Sequence, residues 1–433
     1  MNDSVSMKHL LGFLSFILLN FSFGVLGGDF RVTAFSSNGD MTLTNAFMNG
    51  VVTIEKAATV EGPWSPEKNL FSTQPTVRCK LEMGASNAFF RPLALDLSGP
   101  GGFTNLVQSY GTLTTVSGSG AIQCTSCNNW QPEFEGGWAT NAVLSSPHIA
   151  MAAHAGNIYI ADKRAHAIRK VGTDGTIVTV AGINVAGSGP TNPAPATSVA
   201  LNNPNGLWVR GDGLFYILDR DNGYIRRVDT NGLMTTIVNH GFAIPGGRGL
   251  WVSEDESRIF YAAGTQVMTW DPTNGLAAFA SGFSDLANIA MDPHGNLAVT
   301  DDRLCQVFRL QNDGTRAVIA GNGNIEGGQD GDLAINVGLA AVRGIWFLPT
   351  GAFFLSTDVG CQVWYVDTSG YIHLVLNGDA SAHAGDGAWF YEDPSLPKMG
   401  AGKQIVLDNE GNLLVTENEA GYVRKITFLR HGL

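Results

Sequence analysis

The stretch NIYIADKRAHAIRKV, residues 157–171, returns four more times along the chain: LFYILDRDNGYIRRV at 214–228, NLAVTDDRLCQVFRL at 296–310, AFFLSTDVGCQVWYV at 352–366 and NLLVTENEAGYVRKI at 412–426. A shortened copy, RIFYAAGTQVMTW, occupies 258–270. Each full copy reads as an apolar run, an acidic or polar pair, then an apolar and basic run. One such unit cannot bury its own apolar face and must stack on its neighbours, so the repeat decides the architecture before any single residue is interpreted.

Working outward, each copy is preceded by a short apolar strand: HIAMAA from His148, GLWVRG from Gly206, GLWVSE from Gly249, NIAMDP from Asn288, GIWFLP from Gly344 and QIVLDN from Gln404. Each of the first four units continues into a tight turn such as Thr173-Asp174-Gly175 or Asn312-Asp313-Gly314, where Gly supplies positive φ for a hairpin, and then into a further strand such as GTIVTVAG at 175–182. Four short antiparallel strands at about 40 residues per unit describe one blade of a propeller. Ile149, Leu207, Leu250, Ile289, Ile345 and Ile405 are equivalent, with separations of 58, 43, 39, 56 and 60 residues. The long intervals hold insertions at 183–198, 325–337 and 380–400, expected to emerge on one face. The last unit lacks its fourth strand. GTLTTVSG at 111–118 copies GTIVTVAG nearly residue for residue, so it is expected to complete the last blade and close a six-bladed ring.

Residues 28–98 carry no copy of the repeat. The runs FRVTAF, MTLTN, VVTIEKAAT, TVRCKLEM and AFFRPLALDL alternate as half-buried strands do, which predicts a small β-sandwich. Pro92 should place the end of its strand at a sheet edge. Residues 99–102, GPGG, read as a linker to a propeller over 103–433. The fold class is all-β throughout.

The repeats resemble NHL repeats, whose usual form is Pro-x-Gly-Val-Ala-Val-Asp, a Gly-Asn turn, a strand ending in Ala-Asp, and an Arg-Ile-Arg-Lys strand; IADKRAHAIRKV matches this closely. The amino-terminal stretch VVTIEKAATVEGPWSPEKN resembles fibronectin-type-III-like modules of exported proteins, although Phe89-Phe90-Arg91-Pro92 departs from their pattern. The NHL resemblance implies a six-bladed propeller. It leaves function open, because such propellers serve as lactonases, lyases, RNA-binding modules and protein-binding modules.

Lys8 and His9 precede an apolar stretch, Leu10 to Leu26, that ends in small residues, the layout of a secretory signal peptide over 1–27; a retained helical anchor is the alternative. After cleavage no membrane span is expected, and the location is secreted, periplasmic or cell-surface. A net charge of −12 argues against a nucleic-acid partner. Among five cysteines, Cys124 and Cys127 are expected to form a small loop disulfide; Cys305 and Cys361, one blade apart, are expected to be free and buried.

Propellers bind ligands at the channel mouth, where the innermost strands begin. The register places His148, Gly206, Gly249, Asn288, Gly344 and Gln404 there, with Pro147, Asn205, Arg248, Ala287, Arg343 and Lys403 one residue earlier. Arg248, Arg343 and Lys403 make this ring basic, and His148, Asn205, Asn288 and Gln404 add polar groups. No carboxylate lies in it, whereas the resemblance would imply, for a lactonase, a divalent cation held by acidic groups and, for a lyase, zinc held by several histidines. The expectation is therefore a non-catalytic binding protein without metal or cofactor, taking an anionic ligand such as an acidic saccharide, a peptide or a protein. The competing readings are that these cations pair with acidic loop neighbours, and that the chain is a propeller hydrolase or lyase acting at the mouth. Trp208, Trp251 and Trp346 share one repeat position and are expected to pack between blades. Asp301-Asp302 and Thr357-Asp358 are expected to serve turn hydrogen bonding, and Asp330-Gly331-Asp332 and Gly385-Asp386-Gly387 lack the remaining positions of a calcium loop.

Overall fold

The computed structural model describes residues 17–18, 30–81, 83, 88–98, 101–153, 156–379, 383, 385–387, 399–408 and 410–428. The signal peptide expected over 1–27 lies outside these residues apart from Ile17 and Leu18, as does most of the 380–400 insertion. Contacts divide the chain into two units, Met1–Asn105 and Leu106–Leu433.

The first unit holds a three-stranded sheet (Arg31–Phe35, Asp40–Thr44, Thr76–Lys80) and a four-stranded sheet in which Gly50–Ala57 lies between Ser65–Ser72 and Phe89–Asp96. Met41 and Leu43 from one sheet share a core with Val52, Ile54 and Phe90 from the other. Ser65–Ser72 is a strand that the sequence reading missed, because Pro66, Glu67 and Lys68 look like turn residues. Pro92 pairs with Ile54 on one side only, and the outer side of its strand meets just Ile17 and Leu18, opposite Phe89 and Phe90. Gly102, read as the end of a linker, instead opens the helix α1, Gly102–Gln108.

The second unit is built of six antiparallel sheets of four or five strands. In the first, Pro147–Ala152, Ile158–Asp162, Ala167–Val171 and Ile177–Ala181 follow one another outward, and the pattern recurs in each of the others. The innermost strands are Pro147–Ala152, Pro204–Val209, Leu250–Val252, Leu286–Met291, Val342–Phe347 and Gly402–Leu407, and each packs beside the next, the last returning to the first. The sixth sheet takes its fourth strand, Tyr110–Ser117, from the start of the unit, in the register Ile426↔Leu113 and Val423↔Ser117.

The acidic residue that ends the second strand has a structural task that Asx-type turns do not describe. Asp162, Asp219 and Glu417 form ion pairs with Arg169 (3.1 Å), Arg226 (3.2 Å) and Arg424 (2.8 Å) on the third strand, all of them buried. Across to the fourth strand, Arg169 Nη1 donates to Thr179 Oγ1 at 2.5 Å and Arg226 Nη1 to Thr236 Oγ1 at 2.7 Å, while Arg424 faces Thr115 in the ladder. Where the third strand carries Met268, Phe308 or Trp364 at this position, the fourth carries Ala278, Val318 or Leu374. The polar and apolar versions thus change together, as a buried charge without a partner would be costly. Burial pushes the Asp219 carboxyl up to about 6 against the pull of Asn202, Asn222 and Arg226.

Ala139, Ala196 and Ala334 sit in 3-10 turns that clip consecutive sheets together, each accepting from a glycine at the end of one sheet (Gly118, Gly182, Gly321; 2.9–3.0 Å). Each also donates to the hairpin glycine of the next sheet (Gly175, Gly232, Gly370; 2.8–2.9 Å). The residues just before each clip pair with the next sheet's outer strand, through Trp138↔Thr176, Ala194↔Met234 and Leu333↔Tyr371, and so cover an otherwise open edge.

Replacing Arg169 by Met leaves Asp162 buried without its counter-charge and is expected to lower stability by roughly 3–5 kcal/mol. Adding Asp162→Asn should recover part of that loss, as measured by equilibrium urea unfolding.

Candidate functional site

Two sets of positions converge on one end of the channel: the residues that open the innermost strand of each unit, and, in five of the six units, the residue that follows the last residue of the second strand. The first gives His148, Asn205, Arg248, Asn288, Arg343, Lys403 and Gln404, as the register predicts. The second gives Lys163, Arg220, Asp302, Asp358 and Asn418, of which the sequence reading singles out only Asp302 and Asp358, as turn residues. The signal was present in the repeat itself, since each follows directly on Asp162, Asp219, Asp301, Thr357 or Glu417.

These two sets alternate around part of the mouth. Arg343 Nη2 lies 2.8 Å from both Asp302 Oδ2 and Asp358 Oδ2. Lys403 Nζ donates to Asp358 and stands 3.8 Å from Glu419. Arg248 Nη1 is 3.9 Å from Asp302, beyond hydrogen-bonding distance. The expectation of a mouth free of carboxylates is therefore corrected: Asp302 and Asp358, read as turn residues, stand between the cations, because the register was drawn on the innermost strands alone. Burial raises the Asp302 carboxyl above its ordinary range, with Arg343 and Arg248 pulling it back. Burial, with repulsion from Arg343, lowers the Lys403 ammonium, and the same two causes hold Arg248 down at about 10.

The polar groups deeper in the mouth are almost fully buried. Asn288 Nδ2 donates across the channel to Gln404 Oε1, and Asn205 Nδ2 donates to Gly247 O at 2.7 Å. His148 Nε2 lies 3.4 Å from Lys163 Nζ. Burial, followed by repulsion from Lys163, Arg248, Lys403 and Arg343, holds the imidazole well below its usual range, so it is neutral at pH 7. Among the described residues, His148 Nδ1, Asn205 Oδ1, Arg220 Nε, Arg248 Nε and Nη1, and Arg343 Nε are buried without a hydrogen-bond partner. Unsatisfied buried polar atoms are uncommon in folded proteins, and six of the sixteen among the described residues lie at this mouth.

Asn288 and Gln404 also line a cavity of about 100 Å³, together with Met151, Trp208, Trp251, Met291, Trp346 and Phe347, among others. The three tryptophans pack between sheets as expected, and they also face this cavity, with Trp208 and Trp251 ring centroids 6.0 Å apart.

Cys124 and Cys127 are disulfide-bonded. Cys305 and Cys361 are buried thiols at left-handed turns (φ 49° and 51°), with their Sγ atoms directed at the carbonyls of Asp302 and Asp358. Asp330 Oδ1 accepts from Leu374 N at 2.6 Å and Asp386 pairs with Arg424 at 2.9 Å, so both serve loop anchoring. Among the described residues no three His, Cys, Asp or Glu side chains gather as a metal site, and no helix is long and apolar enough to cross a membrane.

No family model matches this chain, and no curated protein matches it. Solved structures do. A protein of unknown function from Bacteroides thetaiotaomicron superposes with a TM-score of 0.58 at 13% identity, covering 92% of this chain and 98% of that one. An auxiliary nutrient binding protein from Bacteroides ovatus gives 0.54 at 13% identity, covering 90% and 94%. A virginiamycin B lyase from Staphylococcus aureus gives 0.45 at 15% identity, covering 70% and 98%. The chain is accordingly propeller-like in fold.

Burial, with repulsion from Arg220, Arg164 and Arg248, holds the Lys163 ammonium down at about 7. Limited acetylation at pH 7.5 is therefore expected to modify Lys163 ahead of the exposed Lys80, read by peptide mass spectrometry.

Proposed function

We propose that the chain is an exported binding protein in which a six-bladed propeller of NHL-type repeats, following a fibronectin-type-III-like sandwich, holds an anionic ligand at its channel mouth. The observation that carries this reading is the cluster of buried, unpartnered hydrogen-bonding atoms at the mouth, mostly donors on Arg220, Arg248 and Arg343. Unfilled guanidinium donors in a partly dry site select carboxylate, sulfate or phosphate groups, to which arginine binds in paired fashion. The likeness to an auxiliary nutrient binding protein over 90% of this chain is in keeping with a binding role. The donor set also favours binding over metal-assisted hydrolysis, since Arg343 engages both Asp302 and Asp358 and Lys403 also holds Asp358.

Isothermal titration of a panel of acidic saccharides and acidic peptides should find ligands for the wild type whose affinity falls at least tenfold in Arg248→Ala/Arg343→Ala. An unchanged binding profile in that variant would overturn the reading.

A further inference from the structure

The mouth is not evenly charged. On the side formed by the fourth, fifth and sixth sheets, Arg343 and Lys403 are balanced by Asp302 and Asp358. On the side formed by the first three sheets, Arg220, Arg164 and Arg248 lie near enough to Lys163 to repel its ammonium, with Asp221 the carboxylate that opposes them there. Asp221 is itself shared, 3.5 Å from Arg220 Nη1 and accepting from Asn203 Nδ2 at 2.5 Å. Asp285 and Asp302 draw on Arg248, yet its Nε and Nη1 remain without hydrogen bonds, as does Arg220 Nε. His148, neutral and buried, closes the inner side with Nε2 towards Lys163 and Nδ1 free.

We propose that Lys163, Arg220 and Arg248, backed by His148, form a subsite for a doubly charged tetrahedral oxyanion, a phosphomonoester group of the ligand or free phosphate or sulfate. This deepens the anion-binding reading of the mouth and rests on it. The three cations come from three different sheets and so approach from different directions. A carboxylate has two oxygens in one plane and is satisfied by a single guanidinium fork; a tetrahedral anion presents oxygens to all three donors. Like charges packed without enough counter-charge are unfavourable until a dianion arrives, and a bound dianion would restore Lys163 to its protonated form. Affinity should therefore be highest below pH 7 and fall as Lys163 loses its proton, by roughly tenfold per pH unit above 7. The groups facing Lys163 are His148 on the innermost strand, Arg220 and Asp221 on the neighbouring turn, Arg248 at the start of the third sheet, and Arg164 beside it.

Sulfate is the probe of choice, because it stays a dianion from pH 6 to 8.5 and any pH dependence then belongs to the protein. Titration calorimetry with inorganic sulfate and inorganic phosphate should show one site per chain, weakened at least tenfold by Lys163→Met or Arg220→Met and less than twofold by Lys80→Met, an exposed lysine of the first unit. Lys163→Arg, which keeps its charge, should bind sulfate with no change between pH 6 and 8.5, and its binding also shows that the mouth has folded. Absence of sulfate binding at millimolar concentration, or binding indifferent to both Lys163→Met and Arg220→Met, overturns the subsite. If acidic saccharides or peptides still respond to Arg248→Ala/Arg343→Ala in that event, the broader reading stands without it; if no acidic ligand binds at all, both fall.

Discussion

The pairing of a buried carboxylate with a buried guanidinium, one strand apart, is the constraint on which much of the second unit depends. Asp162, Asp219 and Glu417 hold Arg169, Arg226 and Arg424 inside the sheets, and the cost of burying each charge is offset only while its partner and further hydrogen bonds are in place. The acids also accept from backbone amides of the segment that leads into the innermost strand, Ser145 N at 2.5 Å to Asp162 and Asn202 N at 2.7 Å to Asp219. Asp301 accepts from Ser284 N at 2.6 Å in the same way, although its sheet carries Phe308 in place of arginine. The guanidinium groups then reach outward. Arg226 donates to Ser188 O and Pro190 O, both at 2.7 Å, and Arg424 to Asp386 at 2.9 Å, so inserted loops are tied down by the ion pairs that fix the strands.

This constraint also explains the mouth. The residue after each acid is carried to a fixed place because the acid is anchored on both sides, which is why Lys163, Arg220 and Asp302 each reach the mouth. Their identities are free to vary, since they contribute little to the sheet itself. The outcome is a rigid scaffold presenting variable charges, the usual division of labour between elements and connections in binding proteins.

Much of this was legible in the sequence, in uneven measure. The repeat gave the strand order and the register of Arg248, Arg343 and Lys403, and it identified the amino-terminal strand that pairs with Tyr422–Phe428, because GTLTTVSG preserves the alternation of GTIVTVAG. The Asp–Arg pairs were equally available: an acid and an arginine seven residues apart occur in the copies whose fourth strand offers threonine. They were hidden because Asp before a turn has a simpler local explanation in side-chain-to-backbone hydrogen bonding. The acidic half of the mouth was missed for a geometric reason, since Asp302 lies 41 residues before Arg343 in sequence and meets it only once two sheets are packed. Ser65–Ser72 escaped because its Pro66 and charged residues lie on a strand whose partner, Gly50–Ala57, supplies the apolar face.

The strand Tyr110–Ser117 carries a further consequence, for the order in which the molecule can assemble. Thr114 Oγ1 bonds Lys425 O across 311 residues, so the sixth sheet joins the beginning of the unit to its end. Synthesis delivers Tyr110–Ser117 first, and its partner Tyr422–Phe428 arrives only after the other five sheets have been made. Until then the early strand is an unpaired edge on a growing chain, and the loop to be closed is the longest the unit contains. Ring closure is thereby the slow, late event of folding, and the first unit, complete by Asn105, has every opportunity to fold before it.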